Sequence, residues 1–157
     1  MQAFLVHQAA FTLHWWNLTA QVGLASPNNP DDVQLVQFGF FCMGLPTSRI
    51  SDPQNRVVYA RVVPGSPFTP GPNEPLSLAI STLEFGHGVT QRDRRINPFP
   101  PTGYTYQDRS GRHAFMIGYL LNSMYDAVGP DNWPRLDRHP NCPPLVAAAV
   151  RNASTLR

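Results

Sequence analysis

The chain has 157 residues, of which 42% are hydrophobic, 14% are charged and 17 are prolines. This length suits one compact domain and excludes two ordinary ones, and the many prolines argue against a bundle made of helices alone. All twelve basic residues are arginines and the formal net charge is only +2, which is too small for a dedicated nucleic-acid-binding protein. We interpret the local cluster of Arg92, Arg94 and Arg95 as a solvated loop.

The first 25 residues predict an N-terminal β arm. Apolar side chains alternate with other types between Phe11 and Trp16, a pattern typical of a strand, and the stretch as a whole indicates one strand or a hairpin. Trp15 and Trp16 are adjacent and must point to opposite faces, so at least one ring needs a partner outside a simple core.

The arm carries no recognisable targeting segment. It lacks the basic start and the unbroken apolar stretch of a secretory signal, and no part of the chain has the apolar length of a membrane span. We therefore expect cytoplasmic synthesis and no membrane partner, with release as part of a virion or phage-like particle as one route out of the cell.

A first helix is predicted from Asp31 to Gly44. Asn29 is a candidate cap, Pro30 suits the first helical position, and Pro46 prevents the helix from resuming. Apolar residues occur on nearly every side of this helix, so it needs either the chain's own strands and loops around it or a partner subunit. The residues that we expect to form such an assembly surface are Trp15, Trp16, Leu35, Phe38 and Phe41.

The rest of the chain predicts further helices separated by proline-rich loops. Residues 56–63 are rich in β-branched types and predict a strand. Asn73 and Pro75 predict the start of a second helix that ends by Gly86 or Gly88, and Ser110 is a candidate cap for a third helix that ends before Gly129. Residues 145–150 predict a short C-terminal helix. The expected class is mainly α with β extensions (α+β).

No catalytic or metal-binding set is visible in the sequence. His139 and Cys142 are close together but make only two ligands. We reject a thiol enzyme built from Cys42, His113 and Asp126, because Cys42 lies within an apolar helix. Acidic residues are sparse and lie mostly beside turns and caps, so no carboxylate pair for glycoside cleavage stands out. We predict a protein that is not an enzyme and needs no cofactor; whether the two cysteines pair is left open.

Three patches between residues 28 and 125 resemble the small three-helix peptidoglycan-binding domains. The first patch keeps every spacing of the family's opening motif, with its residues being Asp32, Val33, Val36, Gln37, Phe40 and Gly44. The second is Ala79-Ile80 followed by Leu83-Glu84, where the family has Gln in place of Glu84. The third comprises Asp93 to Ile96, without the family's Gly, and Tyr119 to Asn122 on the third helix.

This resemblance implies a three-helix core over residues 26–129, preceded by the arm over 1–25 and followed by a C-terminal extension over 130–157. Residues 45–75 form a much longer link between the first two helices than the family usually has. The implied function is binding of cell-wall glycan or peptide, without a hydrolase half in this chain. The alternative function is a structural subunit of a phage or phage-like particle that uses the same fold and binds protein partners or copies of itself.

Loop aromatic residues are the candidates for contact with a glycan or a protein partner, because Tyr and Trp faces stack on sugar rings and anchor interfaces. The candidates are Tyr104, Tyr106 and Trp133. The alternative is that these rings pack inward and cover the small helical core.

Overall fold

The computed structural model describes residues 1–8, 11–48, 52–87, 92–99 and 116–153. The described chain is mainly helical with small antiparallel sheets, which confirms the α+β class. The strands are β1 (Gln2–Gln8), β2 (Phe11–Asn17), β3 (Val22–Gly23) and β4 (Arg95–Ile96). The helices are α1 (Pro30–Gly44), α2 (Pro53–Tyr59), α3 (Pro75–Gly86), α4 (Met116–Val128), a short 3-10 helix (Trp133–Arg138) and α5 (Pro144–Ala153).

Helix α1 lies at the centre of the core, at the position predicted. Pro30 begins it and two acidic residues occupy its first turn, where they favour the positive end of the helix dipole. Asn29 stands at the cap position but makes no side-chain cap bond; its amide instead donates to the hydroxyl of Thr19 at 3.1 Å. Gly44 ends the helix, and a Cβ there would lie 2.6 Å from the backbone nitrogen of Ala60.

The chain itself covers the unusually apolar surface of α1. Leu120 of α4 lies directly against Gly39, and the ring of Tyr59 on α2 lies 5.3 Å from that of Phe40. On another side the ring of His139 packs edge-on against Phe38, with 5.3 Å between centroids. Of the two explanations for this helix, cover by the chain's own elements is the one found.

The prediction of a strand over residues 56–63 is wrong, because α2 occupies the first half of that stretch. Its start is fixed locally: the Asp52 carboxylate accepts a hydrogen bond of 2.8 Å from the backbone N–H of Gln54, and Pro53 follows at the first helical position. Tyr59 then packs into the core beside Phe40. The cap and this tertiary contact outweigh the β propensity of Val57 and Val58.

The other helices agree with the sequence at most of their ends. Helix α3 ends at Gly86 as predicted, although its cap is Glu74, whose carboxylate accepts a 2.8 Å hydrogen bond from the N–H of Ser77. Helix α4 ends before Gly129, which has a φ of +81°. The predicted cap of this helix, Ser110, lies outside the described residues. Helix α5 confirms the short C-terminal helix.

The N-terminal arm is a hairpin in which β1 and β2 pair antiparallel, with Gln2 opposite Asn17. It is tied to α1 through Asp32, which is buried and accepts hydrogen bonds from the N–H and hydroxyl of Thr19 and from the N-terminal amine. Burial alone would raise the pKa of Asp32, but the hydrogen bonds from the amine and from Thr19 outweigh it and lower the pKa.

A single hydrophobic core joins residues from Trp16 to Ala153. The C-terminal segment contributes Trp133, Leu136, Val146 and Val150 to it, all nearly or fully buried. Helix α5 packs on α1, on β1 and on the 3-10 helix. The C-terminal segment therefore completes the core rather than extending from it.

Candidate functional site

Trp133, predicted as an exposed contact residue, is only 1% exposed. Its ring lies 5.0 Å from that of Trp15 and 5.3 Å from that of Tyr125. The expectation of an exposed ring is wrong for this residue, and the alternative that it covers the core is the one observed. Trp133 and Leu136 of the 3-10 helix both point inward, although the helix is kinked at Arg135, between them.

The residues expected to form an assembly surface are largely internal. Leu35 and Phe38 have no exposed surface and Trp16 has almost none. Trp15 and Phe41 are partly buried and pack against the core. The prediction of an assembly surface is therefore wrong for Trp16, Leu35 and Phe38, which the chain's own elements cover. For Trp15 and Phe41 it stays a prediction.

The remaining predicted contact residues, Tyr104 and Tyr106, lie outside the described residues. Their proposed contact with a ligand stays a prediction. The same holds for His113.

Exposed and half-buried rings do occur at the C-terminal end of α3, where the sequence predicts no ligand contact. Phe85 is 68% exposed, and the guanidinium carbon of Arg92 lies over its ring, 4.6 Å from the centroid. Two residues further along, the His87 ring stacks on Tyr119 of α4 with 3.6 Å between centroids and 20° between planes. We call Phe85, His87, Arg92 and Tyr119 the Phe85 surface.

The helical repeat explains why Phe85 points outward. Ala79, Ile80 and Leu83 form the buried face of α3, and a position two residues after Leu83 falls on the opposite side of the helix. The signal in the sequence is a large apolar residue off the apolar face, immediately before the helix-ending Gly86. Phe85 is therefore a large apolar side chain that lies outside the core of the protein.

Glu84 binds the backbone of the turn that follows Arg92. This side chain is 1% exposed, and its two carboxylate oxygens accept hydrogen bonds of 3.3 Å from the N–H groups of Arg94 and Arg95. Burial, together with the nearby Asp93 carboxylate, raises the pKa of Glu84 to about 7, although the two backbone bonds oppose the shift. Glu84 thus fixes the turn into β4.

The arginine cluster beside this surface is less uniform than the solvated loop that we expected. Arg92 is exposed, whereas Arg94 and Arg95 are half-buried. The Arg95 guanidinium Nε donates a 2.8 Å hydrogen bond to the carbonyl of Leu24, which joins β4 to the end of β3. Arg92 is therefore the member of the cluster that is placed to meet a ligand at the Phe85 surface.

The exposed Phe85 ring and the adjacent guanidinium of Arg92 are groups of the kind that recognise sugars. The apolar face of a pyranose ring packs on an aromatic ring, and the guanidinium can donate several hydrogen bonds to hydroxyl or carboxylate oxygens. The geometry supports binding at this surface.

Neither cysteine forms a bridge; Cys42 is buried and Cys142 is half-buried. Burial raises the pKa of the Cys42 thiol to about 12 and that of Cys142 to about 11, so both are held as neutral thiols at neutral pH. Within the described ranges, no group of three or more His, Cys, Asp or Glu side chains is arranged to hold a metal ion.

No helix in the described part of the chain is long and apolar enough to span a bilayer. Comparison of the chain with family models, curated proteins and solved structures finds no match.

Proposed function

We propose that this chain is a non-catalytic glycan-binding module, with a core similar to the small three-helix peptidoglycan-binding domains and with the Phe85 surface as its contact with the cell wall. The observation that carries the proposal is the exposed Phe85 ring with Arg92 over it, at the end of the helix that carries the second patch of the resemblance.

Several positions that carry the resemblance have structural roles in this chain, which supports the proposed core. Val36 and Phe40 are fully buried on α1. The Gln37 side chain accepts a 3.0 Å hydrogen bond from the N–H of Gly65 and donates one of 3.0 Å to the carbonyl of Ser66. This pair of bonds fastens the long link between the first and second motifs to α1, so the added residues 45–75 are compatible with the same core.

The second patch is used in a comparable way. Ala79 and Ile80 are buried, and Glu84, which replaces the family's Gln, binds the backbone of the Asp93 turn. A Gln oxygen could accept at least one of the same bonds. The substitution therefore keeps the connection between α3 and the following turn and makes it dependent on ionisation.

Tyr104 and Tyr106 remain proposed glycan contacts for a reason of position. The segment that contains them connects Phe99 to α4. Asn17 fixes Phe99 with two hydrogen bonds, one of 2.8 Å from the Phe99 N–H and one of 3.0 Å to its carbonyl. The Phe99 ring lies against Gly118, next to Tyr119 of the Phe85 surface. Phe99, the last described residue before this segment, thus lies close to the surface that we propose.

The alternative function, a structural subunit of a phage or phage-like particle, drew support from the apolar residues around α1. Leu35 and Phe38 are buried by the chain itself, so that support no longer applies. Assembly with copies of itself remains an outcome that the test below distinguishes.

The test is sedimentation of the purified chain with isolated cell-wall sacculi, beside an unrelated protein of similar size and charge. We expect a larger sedimented fraction for this chain, and release into the supernatant when soluble wall fragments are added. Retention no greater than that of the unrelated protein would contradict glycan binding. Light scattering on the same sample that shows a growing oligomer, without retention, would favour the particle subunit.

A further inference from the structure

The end of α4 and the 3-10 helix enclose a cleft of about 360 Å³. This volume falls within the range of small-molecule sites, which is about 300–1,000 Å³. Its lining residues are Val128, Asn132, Arg135, Leu136, Arg138, His139 and Pro140. None of them belongs to the Phe85 surface, and all but Val128 lie in the C-terminal segment, outside the patches that resemble a known family.

The inner wall of this cleft includes side chains that pack into the core. Leu136 is almost fully buried, and His139, the residue after the 3-10 helix, also faces the core. The His139 ring is held between Phe38 and Phe41, at 5.3 and 6.1 Å between centroids. The wall of the cleft is therefore anchored in the core of the protein.

Arg135 and Arg138 are also three residues apart, and both line the cleft. Within the described residues neither guanidinium has a carboxylate within 4.0 Å; the Asp137 carboxylate between them is paired instead with Arg151, at 3.9 Å. No acidic residue is among those that line the cleft. Two positive charges thus border a concave site without an internal counter-charge.

The polar groups of the cleft add further donors. The Nδ1 atom of His139 accepts a 3.2 Å hydrogen bond from the N–H of Asn141, which places the proton of the neutral ring on Nε2. The Asn132 amide donates to the carbonyl of Val128 at 2.8 Å, so it is fixed in place at the edge of the cleft.

We propose that this cleft binds the oxyanion group of a small ligand, a carboxylate or a phosphate, through Arg135 and Arg138. Guanidinium groups match the planar or tetrahedral oxygens of such anions and form charge-assisted hydrogen bonds with them. The apolar residues Val128, Leu136 and Pro140 leave room for a small uncharged part of the ligand. The inference does not depend on glycan binding, since it concerns a different surface.

The test is a titration of the full ¹⁵N-labelled chain followed by two-dimensional NMR. One arm uses inorganic phosphate and the other uses N-acetyl-alanine, with uncharged N-acetyl-alaninamide as the reference for the second arm. We expect saturable shifts at the amides of Asn132 and His139 and at the indole of Trp133. Saturation with phosphate alone identifies a phosphate site, with N-acetyl-alanine alone a carboxylate site, and with both a general oxyanion site.

Variants decide whether the arginines hold the anion. R135Q and R138Q should each lower the affinity for the anion that gives saturable shifts by about tenfold, as expected for the loss of a charge-assisted hydrogen bond. R61Q removes the same charge from an exposed position outside the cleft and should bind as the unaltered chain does. Each variant's spectrum away from the cleft reports whether it has folded.

Two results would overturn the proposal. The first is the absence of saturable shifts at the cleft with either anion. The second is an equal loss of affinity in R61Q, which would show attraction by overall charge instead of binding at this site.

Discussion

Trp15, at the end of the N-terminal hairpin, packs its ring against that of Trp133, in the C-terminal 3-10 helix, with 5.0 Å between the centroids. Tyr125 of α4 contacts both rings, at 6.2 Å from Trp15 and 5.3 Å from Trp133. The N-terminal hairpin therefore meets two consecutive elements from the C-terminal part of the chain in one aromatic cluster. Trp133 presents almost no surface, so the cluster is part of the core.

Replacing Trp133 should destabilise the whole fold. W133A removes a large buried ring and leaves a cavity between Trp15 and Tyr125, a change that typically costs about 3–5 kcal/mol. Urea unfolding followed by far-UV circular dichroism measures the loss. L145A is the control, because Leu145 is exposed on α5 and its truncation should change stability by about 0.5 kcal/mol or less. A W133A variant as stable as L145A would contradict the structural role.

Gly44 should not tolerate a side chain. A Cβ there would lie 2.6 Å from the nitrogen and 2.7 Å from the Cα of Ala60, and these backbone atoms cannot rotate away. G44A should cost about 1–3 kcal/mol through forced separation of α1 from the end of α2. G71A is the matched control, since its nearest atom is 3.9 Å away and its effect should be close to zero. Equal unfolding midpoints for the two variants would refute the close packing.

The buried Glu84 should make stability depend on pH between about 4.5 and 7. The pKa of this carboxyl is raised from its ordinary 4.5 to about 7 in the folded chain, so the folded state binds the proton more tightly than the unfolded state. The free energy of unfolding contributed by this group is therefore fully present below pH 4.5 and falls as the pH rises through 7. Each unit of pKa difference corresponds to about 1.4 kcal/mol.

E84Q tests this directly, because the amide keeps the shape and one acceptor but cannot ionise. We expect the variant to lose the fall in stability over this pH range and to exceed the unaltered chain in stability at pH 8. Thermal unfolding at pH 5, 6, 7 and 8 measures both curves. E74Q, which alters the half-buried cap of α3, is the control for removing a carboxylate. Parallel pH curves for E84Q and the unaltered chain would contradict the assignment to Glu84.

Local signals in the sequence were enough to predict several elements. Pro30 sets the start of α1 through a preference for the first helical position that acts within a few residues. Gly129 ends α4 with a positive φ that other residues rarely adopt. The alternation before Trp16 predicted a strand or hairpin, and the hairpin is found.

Other features depend on contacts that local patterns do not contain. Asp52-Pro53 has a helix-start signal like that of α1, whereas the β-branched residues after it favour a strand. The contact of Tyr59 with Phe40 decides for a helix. The inward position of Trp133 depends on its tertiary contacts with Trp15 and Tyr125, which a local sequence pattern does not contain. The spacing of Ala79, Ile80 and Leu83 places Phe85 off the apolar face of α3, but the contact of its ring with Arg92 depends on the fold.

Binding of the Phe85 surface to cell-wall glycan is tested most directly by the fraction of F85A retained on isolated sacculi across a range of sacculus concentrations. The unaltered chain should bind saturably, and F85A should bind roughly three- to tenfold more weakly, the usual effect of losing an aromatic contact. V63A, which truncates a side chain of similar exposure at 62%, should match the unaltered chain. Retention of F85A equal to that of V63A, or no saturable retention of the unaltered chain, would contradict the proposed function.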